Sequence, residues 1–325
     1  MNFQRLFLTS EKEDREMSFI KWVGGKSKLL NKVVPKLINE IKPGTTYLDP
    51  FIGSGSVLIE LMTEYEKKGG KLNEVDWRVN DVNKELITSF LMIKFDVENL
   101  IKLLNRLELK YVETEKKDEL YYLMRDYYNE MISGEDITLL FVSDLGIDEG
   151  DEILNEIDDL LNLSIASLFI FLNKTCFRGL YRVNKNGSFN VPFGNYKNPK
   201  LVNPEELRRL SYMFRYVKFY DSDYKTLLEH NMKSTTIIYL DPPYFDTFND
   251  YSNINFNHDD FYGVIKMMNS KNDVHLVISN SFTFSEKYDL SEFEVEEIMI
   301  NDKINSKSPN SSRKEIIAIS KNKVI

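Results

Sequence analysis

With 325 residues, 42% of them hydrophobic, the chain is too apolar for wholesale disorder and long enough for one large domain or a core with a sizeable insertion. Its longest nearly continuous apolar run, Ile165 to Leu172, cannot span a bilayer, and one cysteine, Cys176, beside His230, His258 and His275 excludes an internal disulfide and a Cys/His zinc site. The net charge of −9 argues against a polyanionic partner until its origin is located: residues 134–160 alone carry −10, so the remainder sums to +1.

In chain order, the charged stretch Glu11 to Arg15 has no signal-peptide pattern, which fits a soluble intracellular protein with no membrane partner. Next comes Lys21-Trp22-Val23-Gly24-Gly25-Lys26-Ser27, whose tail imitates a phosphate-binding loop. Position 20 is Ile20 rather than glycine and no strand precedes it, which disfavours ATPase chemistry and leaves a helix start with Trp22 on the core as the plain alternative. Short β-branched runs then predict strands at Thr45 to Asp49, Trp77 to Asn80, Tyr216 to Asp221, Thr236 to Leu240, Val274 to Ser279, Phe293 to Ile300 and Glu315 to Ser320. Between them, apolar spacing near 3.6 predicts helices at Ser54 to Lys67, Asp223 to Asn231 and His258 to Asn269, the rhythm of a mainly parallel sheet. The polar link Asn301 to Lys314 makes the last two strands a hairpin.

That rhythm breaks between residues 88 and 200. Helices are predicted at Leu86 to Leu107, Lys117 to Met131 and Glu152 to Leu172, followed by a stretch punctuated by Gly, Asn and Pro. We therefore expect residues 88–200 to be inserted into a catalytic unit made of 1–87 and 201–325. Within the insert, residues 134–160 read as solvated acidic surface, whereas 171–200 carry Lys174, Arg178, Arg182, Lys185, Lys197 and Lys200 with no acid. A second basic stretch, 301–325, has six basic residues against Asp302 and Glu315, and its loop Ser306 to Lys314 is a further candidate for phosphate contacts.

Two motifs carry chemistry. Tyr47-Leu48-Asp49-Pro50-Phe51-Ile52-Gly53-Ser54-Gly55 is a strand running into a Gly-x-Gly turn and a helix, where glycines let the backbone approach a cofactor. Position 58, where a dinucleotide fingerprint needs a third glycine, is Leu58, so hydride transfer is disfavoured. Asp81, after the next strand, can accept both hydroxyls of an adenosine ribose. The second motif, Asp241-Pro242-Pro243-Tyr244, follows the apolar run Ile237 to Leu240, and its double proline fixes a stiff loop at a strand's carboxyl end. An aromatic amine is a poor nucleophile because its lone pair is delocalised into the ring. The Asp241 carboxylate and the Pro242 carbonyl can each accept one amine hydrogen, favouring a tetrahedral nitrogen and stabilising its developing positive charge. Tyr244 can stack on a base flipped out of a duplex.

The ordered set FIKWVGGKSKLL (19–30), YLDPFIGSG (47–55), VNDVN (79–83), LNKTCFRGLYRVNKNGSFNVPFGNYKNP (172–199), YLDPPYF (239–245) and VISNS (277–281) resembles the Dam-like DNA adenine N6-methyltransferase family, the D12 class or alpha-group. The resemblance implies an α/β fold: a Rossmann-like S-adenosylmethionine-dependent methyltransferase sheet of about seven strands, the last antiparallel, with an inserted mainly helical DNA-recognition domain. It places Trp22, Lys26, Phe51, Asp81 and Asp241 on cofactor-contacting positions, Asp49, Gly53 and Gly55 at the methionine end, and Asp223 against the cofactor's adenine. Lys21 matches a lysine that reaches DNA, and Leu180 and Arg182 match a hairpin entering the major groove. Lys174, Arg178 and Lys197 belong to the same basic surface, and arginine is the usual bidentate reader of guanine. Relatives that methylate GATC carry Asn where this chain has Arg178; Arg-Gly-Leu-Tyr-Arg is more similar to members acting on CATG. The implied reaction is methyl transfer from S-adenosylmethionine to adenine N6 in duplex DNA, without a metal, with a cognate restriction endonuclease as a candidate partner. Its rivals are cytosine N4 enzymes, which carry Ser at the Asp241 position, protein glutamine methylases with Asn in a similar loop, an RNA substrate, and a module of the same fold that binds without turnover.

Overall fold

The computed structural model describes residues 19–22, 29–147, 154, 159–230, 235–245, 256–301 and 312–321. Seven strands, β1 (Thr46–Asp49), β2 (Asp76–Asn80), β3 (Val217–Tyr220), β4 (Thr236–Leu240), β5 (Val274–Ser281), β6 (Phe293–Asn301) and β7 (Ser312–Ser320), form one sheet in the order β3-β2-β1-β4-β5-β7-β6. Pairing is parallel from β3 through β5, and β7 inserts antiparallel between β5 and β6. The seven-stranded sheet with an antiparallel last strand thus agrees with the sequence reading. The central strands β1 and β4 are buried at every position, as a sheet covered on both faces requires.

Alternation along the strands sorts the core into two layers. Tyr47, Ile237, Val277 and Ile317 face one layer, shared with α1 (Leu30–Ile38), α2 (Ser56–Lys67) and α3 (Lys84–Phe95). Leu48, Ile238, Ile278 and Ile316 face the other, built with residues of the helices at Tyr224–His230, His258–Asn269 and Phe282–Lys287. The first layer continues without interruption into α4 (Val97–Glu113), α5 (Lys117–Ser133), α6 (Thr138–Asp144) and α7 (Leu160–Thr175), and then α8 (Pro204–Phe214) returns the chain to the sheet. We number the three helices of the opposite face α9, α10 and α11.

The helix predicted over Leu86 to Leu107 is two helices. Asp96, at φ −140° and ψ 48°, breaks α3 from α4; both helices pack on α7 and α8, and α3 also lies beside β3. Hydrophobic spacing stays in phase across this corner, so a periodicity reading passes over it. The third predicted helix appears as α7, capped by Asp159 through the Asn162 N–H at 3.1 Å, and residues 148–153 and 155–158 of the acidic stretch lie outside the described residues. Among the described residues no helix is long and apolar enough to cross a membrane.

Candidate active site

The sheet order reverses between β1 and β4, and at such a switch point the loops leaving the two strands diverge and open a crevice at their carboxyl ends. Asp49, Asp81 and Asp241 close β1, β2 and β4, which lie side by side, so three carboxylates from distant parts of the sequence share one edge. Burial, opposed by the Phe51 N–H at 3.1 Å, holds the Asp49 pKa well above the usual carboxylate range, and the charges of Asp241 and Asp81 push the same way. Burial also raises Asp81, against N–H donation from Asn83 at 3.0 Å and Gly53 at 3.1 Å. Among the described residues no cluster of acids, histidines and cysteine is arranged to hold a metal ion.

The Gly-x-Gly turn is built for close approach. Gly53 has φ +49° and Gly55, the N-cap of α2, has φ +75°, a region costly to residues with a Cβ. A Cβ on Gly53 would sit 2.9 Å from the indole of Trp22, and one on Gly55 would sit 3.1 Å from the ring of Phe90. Phe51 packs against Tyr224, Phe256 and Phe261, with ring centroids 5.2–5.9 Å apart. Asp223 is exposed on the rim, where its Oδ1 accepts the Lys225 N–H at 2.9 Å. Lys26 lies outside the described residues, as do residues 306–311 of the basic tail loop.

Pro242 is buried and Pro243 exposed, so the loop after β4 lies with one side on the core. The Phe245 N–H reaches Asn280 Oδ1 on β5 at 3.4 Å, and the Tyr244 hydroxyl donates to Glu315 Oε2 on β7 at 2.6 Å. Asp241 lies close enough for its charge to raise the pKa of Tyr244, after burial, and that phenol stays a neutral donor throughout the physiological range.

The predicted basic hairpin is present. Val183 and Phe189 bridge antiparallel, the turn between them is closed by Asn184, and Asn129 on α5 holds Phe189 by two bonds, 2.8 and 3.1 Å. Arg182 is exposed, steadied through its Nε on Asn190 Oδ1 at 2.7 Å. Arg178 is exposed at a left-handed φ of +59°, its guanidinium 5.1 Å from the ring of the exposed Phe177. Leu180 is half-buried, and Lys197 is exposed. Lys174 is partly buried, and burial lowers its pKa; Lys21 and Lys200 are near enough to lower it further.

Lys21 is joined to this surface by Asn173. That amide accepts the Lys21 N–H at 2.8 Å and donates to the Lys21 carbonyl at 2.7 Å, while the lysine stem lies on Gly179, where a Cβ would be 2.5 Å away. Trp22 then stacks on Tyr181 of the hairpin arm, 5.7 Å between centroids, so the Gly53 turn and the basic hairpin share a wall.

Sequence reading missed four residues that assemble this edge: Asn80, Asn173, Asn280 and Glu315. Asn80 is 1% exposed and makes four bonds, donating to the carbonyls of Pro50 and Ser222 and accepting from the Ser222 N–H and hydroxyl, which ties the exits of β1, β2 and β3 together. The available signal was a polar residue ending or interrupting an apolar run, since most buried polar groups are there to make hydrogen bonds.

The sequence profile of the D12 class N6 adenine-specific DNA methyltransferase family matches residues 22–307. The chain is 34% identical over 275 residues to the type II methyltransferase M.MjaIII of Methanocaldococcus jannaschii, covering 81% of this chain and 84% of that protein. It is 28% identical over 269 residues to the retron Ec67 DNA adenine methylase of Escherichia coli (82% and 78%), and 25% over 230 residues to the DNA adenine methylase of Serratia marcescens (71% and 67%).

Proposed function

Because the chain belongs to the D12 class N6 adenine-specific DNA methyltransferase family, we propose that it transfers a methyl group from S-adenosylmethionine to the N6 amine of adenine in a short duplex motif, after the base has left the helix. The observation that carries this reading is the meeting of Asp241, at the end of β4, with the Gly53 and Gly55 turn after β1 across the switch point of the sheet.

The edge suits that cofactor. Gly53 leaves no side chain between the backbone and Trp22, and buried carboxylates that repel one another gain from a ligand bearing positive charge. The Asp81 carboxylate accepts the backbone N–H groups of Gly53, Asn83 and Val82 and, with about four acceptor positions, keeps one for a ribose hydroxyl. Trp22, Lys26, Asp49, Phe51, Gly53, Gly55, Asp81, Asp223 and Asp241 would line the cofactor site. S-adenosylmethionine, when bound, supplies an electrophilic methyl group. The protein's task is to make the amine a nucleophile: the Asp241 carboxylate and the Pro242 carbonyl take its two hydrogens as acceptors, the nitrogen lone pair leaves conjugation, and the carboxylate stabilises the charge that develops. Pro242 and Pro243 hold those acceptors fixed, and the Tyr244 ring stacks on the base, offsetting part of the unstacking cost.

Lys21, Lys174, Arg178, Leu180, Arg182 and Lys197 form the proposed duplex-binding surface, with residues 88–200 as the recognition insert of a catalytic unit comprising 1–87 and 201–325. Phosphate contacts come from the lysines, and base reading from the hairpin arginines. The basic patch can serve although the whole chain is acidic, because the charge of residues 134–160 is confined to one stretch of the insert. A DNA substrate implies work inside the cell, and an endonuclease cutting at the same motif is the partner such a mark would restrain.

Incubation with S-adenosylmethionine and unmethylated genomic DNA, followed by single-molecule sequencing, is the test. N6-methyladenine at one short motif is the expected result. Cofactor binding with no methylation of any DNA would overturn the reading in favour of a binding module, and methylation of RNA alone would reassign the substrate.

A further inference from the structure

The phenol of Tyr244 is anchored by a residue outside its own motif. Glu315 belongs to β7, opposite Ser281 at the carboxyl end of β5 and opposite Ile298 of β6, and is 2% exposed. Its Oε2 accepts the Tyr244 hydroxyl at 2.6 Å and its Oε1 accepts the Arg313 Nε at 2.8 Å. Arg313 pairs with the buried charge from β7 itself, and the bond to Tyr244 adds a second donor from the loop after β4. Its effect falls on the tyrosine. Phe245, the next residue, is tied by its N–H to Asn280 on β5, while the far end of the Tyr244 ring is tied to β7. Held at both ends, the ring loses rotation about its side-chain bonds, and its face is fixed relative to Asp241.

We propose that Glu315 is a positioning residue for methyl transfer, acting through Tyr244 to fix the plane on which the flipped base stacks. The inference rests on the proposed adenine methylation. A carboxylate suits the role because it accepts from two donors at once. Glutamine keeps one acceptor oxygen; with Arg313 on it, the NH2 faces the phenol, which must turn round to accept, so the short charge-assisted O–H···O⁻ bond gives way to a weaker and longer neutral one and the ring is held less closely.

The experiment measures single-turnover methylation of a duplex carrying the motif, with wild type, Glu315→Gln, Tyr244→Phe and the double variant. Misplacing a reacting group by about 1 Å can cost on the order of 100-fold, so Glu315→Gln should slow transfer by about 10- to 100-fold, with affinities for cofactor and duplex within about twofold of wild type. Tyr244→Phe keeps the ring and removes only the hydroxyl. It should fall by a similar factor, and adding Glu315→Gln to it should cost less than about twofold more. With 2-aminopurine at the target position, both single variants should show brighter emission than wild type, because a base stacked on a loosely held ring is quenched less. A Glu315→Gln rate within twofold of wild type, or losses that multiply in the double variant, would overturn the proposal. If Glu315→Gln does not fold, a wild-type rate in Tyr244→Phe overturns it equally. Wild-type protein that methylates no DNA would instead refute the proposed function itself.

Discussion

Replacing Asp81 by asparagine tests the cofactor edge with little change of shape. In the protein, the carboxylate accepts the N–H of Gly53 at 3.1 Å on one oxygen and that of Asn83 at 3.0 Å on the other, and the Val82 N–H also donates to it. An asparagine must turn its NH2 toward one of these donors, and it also loses an acceptor for the ribose. A hydrogen bond to a charged group is worth about 1.5–3 kcal/mol, so loss of one such bond in the complex should weaken S-adenosylmethionine binding about 10- to 150-fold. Fluorescence reads this directly: of the two tryptophans, Trp77 is fully buried with its Nε1 bonded to the Leu72 carbonyl, whereas Trp22 lies on Gly53 at the site. Titration with pH gives a second readout. Burial raises the Asp81 pKa above the usual carboxylate value, so wild-type affinity should fall as the pH drops toward that raised value, and this component should be absent in the variant. The effect on folding has the opposite sign. A carboxylate with a raised folded-state pKa contributes stability that is fully present below its unfolded value and is lost as pH rises through the folded value, so wild type should lose stability relative to the variant across that window. Affinity within twofold of wild type, or an unchanged pH profile, would refute the assignment of Asp81.

Three further perturbations probe separate parts of the site. Asp241→Ala should retain duplex binding while single-turnover methylation falls by at least about 10²- to 10³-fold, the worth of one preorganised stabilising contact; near-normal turnover would rule out the amine-activating role. Gly53→Ala places a methyl group 2.9 Å from the Trp22 indole at φ +49°, which should cost about 1–2 kcal/mol in the backbone alone and more for displacing the ring, seen as a lower unfolding midpoint and a shifted Trp22 emission. Arg182→Ala removes an exposed guanidinium from the hairpin and should reduce discrimination by about 1–3 kcal/mol at one base of the motif, with cofactor affinity intact; an unchanged preference in a library of duplexes would remove Arg182 from base reading.

The strands were legible because their signal is local. Thr236 to Leu240 is a β-branched and apolar run ended by Asp-Pro-Pro, and the structure has β4 over those five residues. The Gly53 and Gly55 turn was legible for a similar reason: few residue types tolerate positive φ, so the sequence advertises the backbone. The corner at Asp96 left no comparable trace. Whether α3 and α4 run on or separate depends on what each packs against, and the spacing of Leu86, Phe90, Ile93, Leu100, Leu103 and Leu107 satisfies either case.

The sequence by itself determined the seven strands, several of the longer helices, the Gly53 and Gly55 turn, and which side chains carry acidic, basic or aromatic chemistry, because propensity and periodicity act over a few residues; short helices such as Thr138–Asp144 escaped it. The order of the strands was decided only in three dimensions. Placing β4 beside β1 set Asp241 next to Asp49, inserting β7 between β5 and β6 delivered Glu315 to Tyr244 across 71 residues, and packing α7 under the N-terminal segment brought Asn173 to Lys21 across 152. Such pairings follow from how apolar faces are buried together, and a residue's neighbours along the chain contain no record of which distant face covers it.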